Sequence, residues 1–299
     1  MSGSPEKRRL RVHLATAVPM AIEQAIARDF ELVPAAFGAD GVVATPAVNV
    51  DAAYLDAAGQ KLRIVANYAV GTDNVDLERA RRRGVVVTNT PDVLTHATAE
   101  LTIGLVLALL RRICEGDRMI RRHEPWRIAP EFMLGTSLEG RDVLVVGPGR
   151  IGRRVAELVV AHGARVSFAG RGDDLGLQLP HADVVTLHCP LTPETHHLID
   201  ARALAAMKPS AVLVNTARGQ VVDERALVTA LHAGTLAGAA LDVYEFEPDV
   251  SEDLLALDNV VLTPHIASAT RETRMAMGML CVDALRAVLL EGRTPSNAV

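Results

Sequence analysis

The sequence predicts an α/β protein made of two doubly wound parallel-sheet domains. Three observations carry this. Short β-branched runs alternate with helical patterns from end to end, one long apolar helical stretch interrupts the alternation, and 299 residues are enough for two separate cores. Such alternation of strand and helix implies a parallel sheet with helices on both faces.

In the first series RVHLATAV begins at 11, the amphipathic MAIEQAIARDF at 20, GVVATP at 41, LRIVANY at 62 and VVVTNTP at 85. A helical segment over roughly 96 to 122 follows, apolar on almost every side and expected to lie between two domains. Its apolar centre, LTIGLVLALL at 101 to 110, is half the length of a bilayer span and is bounded by Glu100 and Arg111. The second series runs through RDVLVVG at 141, ARVSFAG, DVVTLHCP, AVLVNTARG, GAALDVY and NVVLTPHI, which completes a second sheet. The last periodic segment, RETRMAMGMLCVDALRAVLLEG, is one helix too many for that sheet and is expected to return to the first. The predicted domains are therefore 1–94 with 269–299, and 95–268.

With 49% hydrophobic and 22% charged residues the composition is that of a soluble globular protein. A net charge of -5 attracts neither nucleic acid nor an anionic membrane, so an acidic substrate must meet a local positive site. Cys114, Cys189 and Cys281 form an odd set without metal or redox spacing and read as buried thiols of a reducing compartment. The basic start lacks an apolar stretch of signal-peptide length, and both features point to the cytoplasm. His196 and His197 are adjacent, so they should point different ways at the surface; no metal site is expected.

GPGRIG at 147–152 fits Gly-x-Gly-x-x-Gly, a weak signal by itself. Its context is informative. The strand VLVV runs directly into Gly147, and a helix follows with Ile151, Val155, Leu158 and Val159 on one face until Gly163. Strand, turn and helix make a Rossmann dinucleotide site, in which Gly147, Gly149 and Gly152 let the backbone approach a pyrophosphate at the helix N-terminus. An NAD site would place an acid about 20 residues on, at the end of the second strand. Here Gly170 and Arg171 stand there, which favours NADP(H), since a guanidinium pairs with a 2′-phosphate. NAD(H) is the alternative, because Asp173 and Asp174 follow and would neutralise Arg171 or bind the ribose themselves.

Ligands of open α/β sheets lie beyond the carboxyl ends of the strands. AVLVNTARG ends in Thr216 and Arg218, GAALDVYEFEP carries Asp242 and Glu247, and NVVLTPH ends in His265. From the first domain LRIVANYAVG delivers Val70 and Gly71, and together these are expected to line one interdomain cleft. Reduction of a 2-keto acid needs a carboxylate binder, a proton donor and a fixed nicotinamide face. Arg218, His265 and Asp242 have those chemistries, although each alone is more often structural. Glu247 beside His265 would favour the imidazolium, with an attraction of about 4 kcal/mol at 4 Å and an effective dielectric of 20 as an upper figure.

At this point the chain resembles the D-isomer-specific 2-hydroxyacid dehydrogenases, over nearly its whole length and in order. NYAVGTDNVD, VVVTNTPDVLT, GPGRIG, NTARGQVVDE, LDVYEFEP and TPHIASAT are all similar to that family's signatures. The resemblance implies a flavodoxin-like substrate domain beside the Rossmann domain, and Arg218, Glu247 and His265 as a catalytic trio. It further implies that the backbone at Val70 and Gly71 holds the substrate carboxylate, with Ser268 beside the substrate. Gly149, Arg150, Ile151, Pro190, Thr216, Asp242 and Ala267 fall where the family contacts cofactor.

AGR after the second strand and HIASATRETR around the histidine are most similar to the glyoxylate and hydroxypyruvate reductases, which commonly use NADPH. The activity implied is reduction of a small 2-keto acid. The alternatives are a 3-phosphoglycerate-type or other D-2-hydroxyacid dehydrogenase, phosphite or formate oxidation, and, in another class, a dinucleotide-sensing co-repressor, against which the complete trio stands. Two departures are visible: Pro148 inside the glycine turn, and His96 where an acid or polar residue is more common. Trp126 falls where relatives place an aromatic that reaches the partner subunit of a homodimer; the alternative is packing within its own subunit.

Overall fold

The computed structural model describes residues 9–299. The chain divides into two compact units, one built from residues up to Leu94 together with Ala269–Val299, the other from Thr95–Ser268.

Among the described residues the first unit holds five parallel strands, β1 (Arg11–Leu14), β2 (Glu31–Val33), β3 (Gly41–Ala44), β4 (Ile64–Asn67) and β5 (Val86–Thr88), in the order β2-β1-β3-β4-β5. That is the flavodoxin-like order. The apolar runs at 11, 41, 62 and 85 all became strands. β2 had no apolar run to announce it, since only Val33 of its three residues is fully buried. The helix Arg271–Leu289 closes this sheet. A methyl group on Gly41 would stand 2.8 Å from Leu285, and one on Gly278 would stand 2.4 Å from Ile22 of the helix Met20–Asp29. Glycine is thus what lets the closing helix approach both sheet and helix so closely. Polar ties finish the seam: Arg63 donates to the Val288 carbonyl at 2.6 Å, Arg286 pairs with Asp29 at 2.7 Å, and the Tyr68 hydroxyl donates to the Arg274 carbonyl.

The second unit holds β6 (Asp142–Val146), β7 (Arg165–Ala169), β8 (Val184–Leu187), β9 (Val212–Asn215), β10 (Gly238–Leu241) and β11 (Val260–Leu262). All pairings are parallel, in the order β11-β10-β9-β8-β6-β7. Alternate residues of each strand enter opposite cores, as the pleat requires. Leu144, Val185, Leu213 and Leu241 meet Leu204, Leu227 and Leu231 on one face. Val143, Val145, Val184 and Val214 meet Ile103, Val106, Val155 and Val159 on the other. The order of strands reverses between β6 and β8, the switch point beyond whose carboxyl ends open α/β sheets take their ligands.

The helix expected over 96 to 122 is two helices, Thr95–Leu110 and Ile113–Arg121. Arg112 breaks it by adopting φ 54 and ψ 34, a left-handed conformation in which its guanidinium forks onto Glu115 at 2.6 and 2.8 Å. Only the first piece is buried on most sides; the second has no buried residue. No helix among the described residues is long and apolar enough to cross a membrane.

Candidate active site

The glycine turn joins β6 to the helix Arg150–Ala161, and its three glycines answer three different demands. Gly147 has φ +96, and a methyl group there would lie 2.6 Å from the Cys189 amide nitrogen. A methyl on Gly152 would lie 2.2 Å from the Gly147 carbonyl oxygen, so this glycine lets helix and turn touch. Gly149 is different: its φ of -74 suits any residue and nothing lies within 4 Å of where its side chain would be. The open space there, at a helix N-cap with no side chain to satisfy the first-turn amides, is a cradle for an anionic group. These residues therefore fit a dinucleotide pyrophosphate. Pro148 packs against the end of β7, 3.5 Å from where a Gly170 side chain would begin.

Beyond β7 both neighbouring carboxylates are occupied by backbone. Asp173 accepts from the Gly170 amide at 2.7 Å, and Asp174 caps the next turn by accepting from the Gly176 amide at 2.8 Å. Arg171, just before them, stands exposed. Under the glycine turn runs the loop after β8, with the His188 amide donating to the Val146 carbonyl at 2.7 Å. Burial holds the His188 imidazole down at about 3, so the neutral ring shares a hydrogen bond with the Thr186 hydroxyl at 2.9 Å. Burial likewise pushes the Cys189 thiol up to about 11. Pro190, next in line, is exposed.

The loops after β9, β10 and β11 bring the trio together. Nδ1 of His265 donates to Oε2 of Glu247 at 2.8 Å, which leaves Nε2 as the outward nitrogen. Both side chains are about one third exposed, at 37% and 34%. Burial alone would push the Glu247 carboxyl up. The hydrogen bond and charge of His265, the Tyr244 amide and the Arg218 charge together outweigh it and hold the carboxyl below its ordinary value. His265 has φ +53, uncommon for a side chain of its size.

Asp242 explains how that conformation is held. Its fully buried carboxylate accepts from the Ile266 amide at 2.8 Å, the Ala267 amide at 2.8 Å and the Thr263 hydroxyl at 2.6 Å, and its carbonyl accepts from the His265 amide at 2.9 Å. Tyr244 adds a tie from its hydroxyl to the Thr263 carbonyl at 3.0 Å. Ala267 is buried and Ser268 half-buried at the end of this turn.

Arg218 follows β9 in a loop organised by Asn215, which accepts from the Ala217 amide at 3.0 Å and donates to the Arg218 carbonyl at 2.8 Å. A methyl on Gly219 would stand 1.8 Å from the Tyr244 carbonyl oxygen, so the Arg218 loop lies directly on the Glu247 loop. The Thr216 hydroxyl is buried and shares a hydrogen bond with Thr102 at 3.0 Å.

In the first unit, Asn89 donates to the Val70 carbonyl at 2.9 Å and Asn67 to the Gly71 carbonyl at 2.8 Å. A planar trans peptide points its N–H opposite to its C=O, so fixing the Val70 carbonyl also fixes the Gly71 amide. Asn67, Asn89 and Asn215 were not singled out from sequence. Each stands at or just beyond the carboxyl end of an apolar run, the same signal that located Arg218 and His265. The reading of His196 and His197 needs correction. Their rings do not point apart but stack with centroids 4.1 Å apart, and His197 donates to Glu245 at 2.9 Å.

Residues 103–267 match the D-isomer specific 2-hydroxyacid dehydrogenase, NAD binding domain. Over 257 residues the chain is 48% identical to a glyoxylate reductase of Aeropyrum pernix, covering 80% of this chain and 76% of that one. The solved TT0316 protein of Thermus thermophilus superimposes with a TM-score of 0.90 at 44% identity, over 97% of this chain and 100% of its own. An NADPH-dependent glyoxylate/hydroxypyruvate reductase of Sinorhizobium meliloti, solved with NADP and malonate, gives a TM-score of 0.87 at 36% identity over 97% of each chain. The chain belongs to the D-isomer-specific 2-hydroxyacid dehydrogenase family and is a nicotinamide-dinucleotide-dependent oxidoreductase.

Proposed function

We propose that the enzyme reduces a small 2-keto acid of the glyoxylate or hydroxypyruvate type to the 2-hydroxy acid, with NADPH preferred. The observation that carries this reading is the His265–Glu247 pair, set beside the Arg218 loop at the carboxyl ends of β9 to β11. Relatives named as glyoxylate reductases and as an NADPH-dependent glyoxylate/hydroxypyruvate reductase support the substrate and the cofactor.

In this reading a nicotinamide held there would supply the hydride that reduces the keto carbon. His265 gives the developing alkoxide its proton from Nε2 while Glu247 steadies the imidazolium. Arg218 takes the substrate carboxylate and keto oxygen, the backbone at Val70 and Gly71 takes the carboxylate, and Ser268 stands beside the substrate. The residues up to Leu94 with Ala269–Val299 act as the substrate domain, Thr95–Ser268 as the dinucleotide domain. Gly147, Gly149, Arg150, Ile151 and Gly152 hold the pyrophosphate side of the cofactor. Pro190, Thr216 and Ala267 line the rest of its path, which Asp242 shapes by holding the 263–267 turn. Arg171 meets the 2′-phosphate, an assignment helped by Asp173 and Asp174 being held by backbone amides.

We assign the working unit as a homodimer formed through the segment around Trp126. Ile128 is 96% exposed there and Trp126 58%, with Ile113, Ile120 and Leu134 also more than half exposed. An apolar row of this kind marks an interaction surface. Replacing Ile128 by Asp should then reduce the sedimenting mass to that of one chain. Three unpaired cysteines suit a reducing compartment, so we place the enzyme in the cytoplasm, to be checked by fractionation. Cofactor oxidation measured with glyoxylate, hydroxypyruvate, 2-ketogluconate and phosphohydroxypyruvate tests the substrate class. The first two should give the highest kcat/KM; a clear preference for phosphohydroxypyruvate with NADH would overturn the assignment.

A further inference from the structure

We propose that His197 is a positioning residue for the reduction, acting through Glu245 to fix the spacing between Arg218 and Glu247. The proposal rests on the roles just given to those two residues.

His197, Gln220, Glu224 and Glu245 form a closed set of hydrogen bonds across three chain segments. The His197 amide donates to the Gln220 carbonyl at 2.8 Å, and its ring Nε2 donates to Oε1 of Glu245 at 2.9 Å. The Gln220 side chain donates to the Glu245 carbonyl at 2.9 Å. Glu224 and Glu245 each accept from the other's backbone amide at 3.2 Å. Gln220 is two residues after Arg218, and Glu245 two before Glu247. The set therefore spans the distance between the two functional loops, at the place where Gly219 already presses on the Tyr244 carbonyl.

Glu245 is the centre of the set, with a side chain only 14% exposed. Burial, reinforced by the charge of Glu245, holds the Glu224 carboxyl above its ordinary value, so the two carboxylates oppose one another. His197 supplies Glu245 with a ring donor from outside that pair. The backbone is arranged for it: His197 takes φ +51, a conformation that a non-glycine residue adopts rarely. Without that donor a buried carboxylate oxygen is left unmatched, and the Glu245 stretch is free to shift, carrying Glu247 relative to Arg218. The 147–152 turn, which holds the pyrophosphate side of the dinucleotide, belongs to another loop, so the main hold on the dinucleotide should not respond.

The test uses the full chain with two substitutions, measured beside Arg218→Ala and Glu247→Gln. His197→Asn tolerates the left-handed backbone but is too short to reach Glu245, whereas His197→Gln carries an N–H donor at about the reach of Nε2. His197→Asn should raise the keto-acid KM and lower kcat, each about fivefold, with the NADPH Kd within twofold of wild type by fluorescence titration. His197→Gln should recover both constants to within twofold. The proposal is overturned if the asparagine variant keeps wild-type KM and kcat, if NADPH affinity falls in parallel, or if glutamine rescues nothing. Wild-type kinetics in the Arg218 and Glu247 variants would remove the reading of those residues and this proposal with it. Loss there, with no loss in His197→Asn, removes the positioning role alone.

Discussion

Nδ1 of His265 lies 2.8 Å from Oε2 of Glu247, although the two residues follow different strands and stand 18 apart in sequence. Each is placed by backbone held elsewhere. Asp242 fixes the His265 turn with three accepted hydrogen bonds, and the Tyr244 amide fixes the second oxygen of Glu247 at 3.0 Å. The arrangement gives a proton donor with a committed inner nitrogen and an outward Nε2, which is what reduction of a carbonyl to an alcohol requires.

The first prediction concerns pH. Against its burial, the His265 hydrogen bond and charge, the Tyr244 amide and the Arg218 charge hold the Glu247 carboxyl below its ordinary value, so it stays ionised below the usual carboxylate range. An acid limb of kcat/KM that comes from protonating this carboxyl should therefore be absent from Glu247→Gln, which carries no titrating group there. An acid limb unchanged in the glutamine variant would detach Glu247 from the proton donor.

The glycine turn offers a separation between folding and binding. Gly149→Val places its side chain in open space, so Tm should stay within about 2 °C while NADPH affinity falls about tenfold or more. Gly152→Ala meets the Gly147 carbonyl at 2.2 Å and should lower Tm by about 4 °C or more. Thermal scans with cofactor titrations check both; wild-type binding in Gly149→Val contradicts the pyrophosphate cradle.

At the ribose end, the wild-type enzyme should favour NADPH over NADH. Arg171→Ala should cut kcat/KM with NADPH about tenfold, the loss of roughly one charge-assisted contact at an exposed site, and leave NADH within twofold. Equal losses with both cofactors would assign Arg171 to something other than the 2′-phosphate.

Ten of the eleven strands among the described residues were legible as short runs rich in β-branched residues, most of them buried along their length. β2 was not, because Glu-Leu-Val at a sheet edge carries no such run. The break at Arg112 left no mark either, since neither glycine nor proline announces it; a local pairing with Glu115, three residues on, accompanies it. Arg218, Glu247 and His265 were readable from their positions after apolar runs. The work of Asp242 was not: its sequence position suits a ligand contact, and only the fold shows its oxygens taken by the 263–267 turn. The bond from His197 to Glu245 joins residues 48 apart, beyond any local pattern.

Acid stability should carry the signature of His188. Its folded value near 3 lies below the ordinary 6.5, so the unfolded chain takes up the proton first. Stability from this site is complete above about pH 6.5 and is lost as pH falls from there towards 3. A His188→Gln variant, which does not titrate, should flatten the decline of unfolding free energy over that window by about one proton. An unchanged slope would show that the ring is protonated in the folded protein.

The most direct test of the account is the rate of keto-acid reduction by His265→Ala, measured together with its NADPH Kd. The proton donor's loss should lower kcat about 10²- to 10⁴-fold while the Kd stays within twofold, because the cofactor is held by the 147–152 turn and its helix. Turnover near that of wild type from the alanine variant would contradict the assignment of His265 as the proton donor.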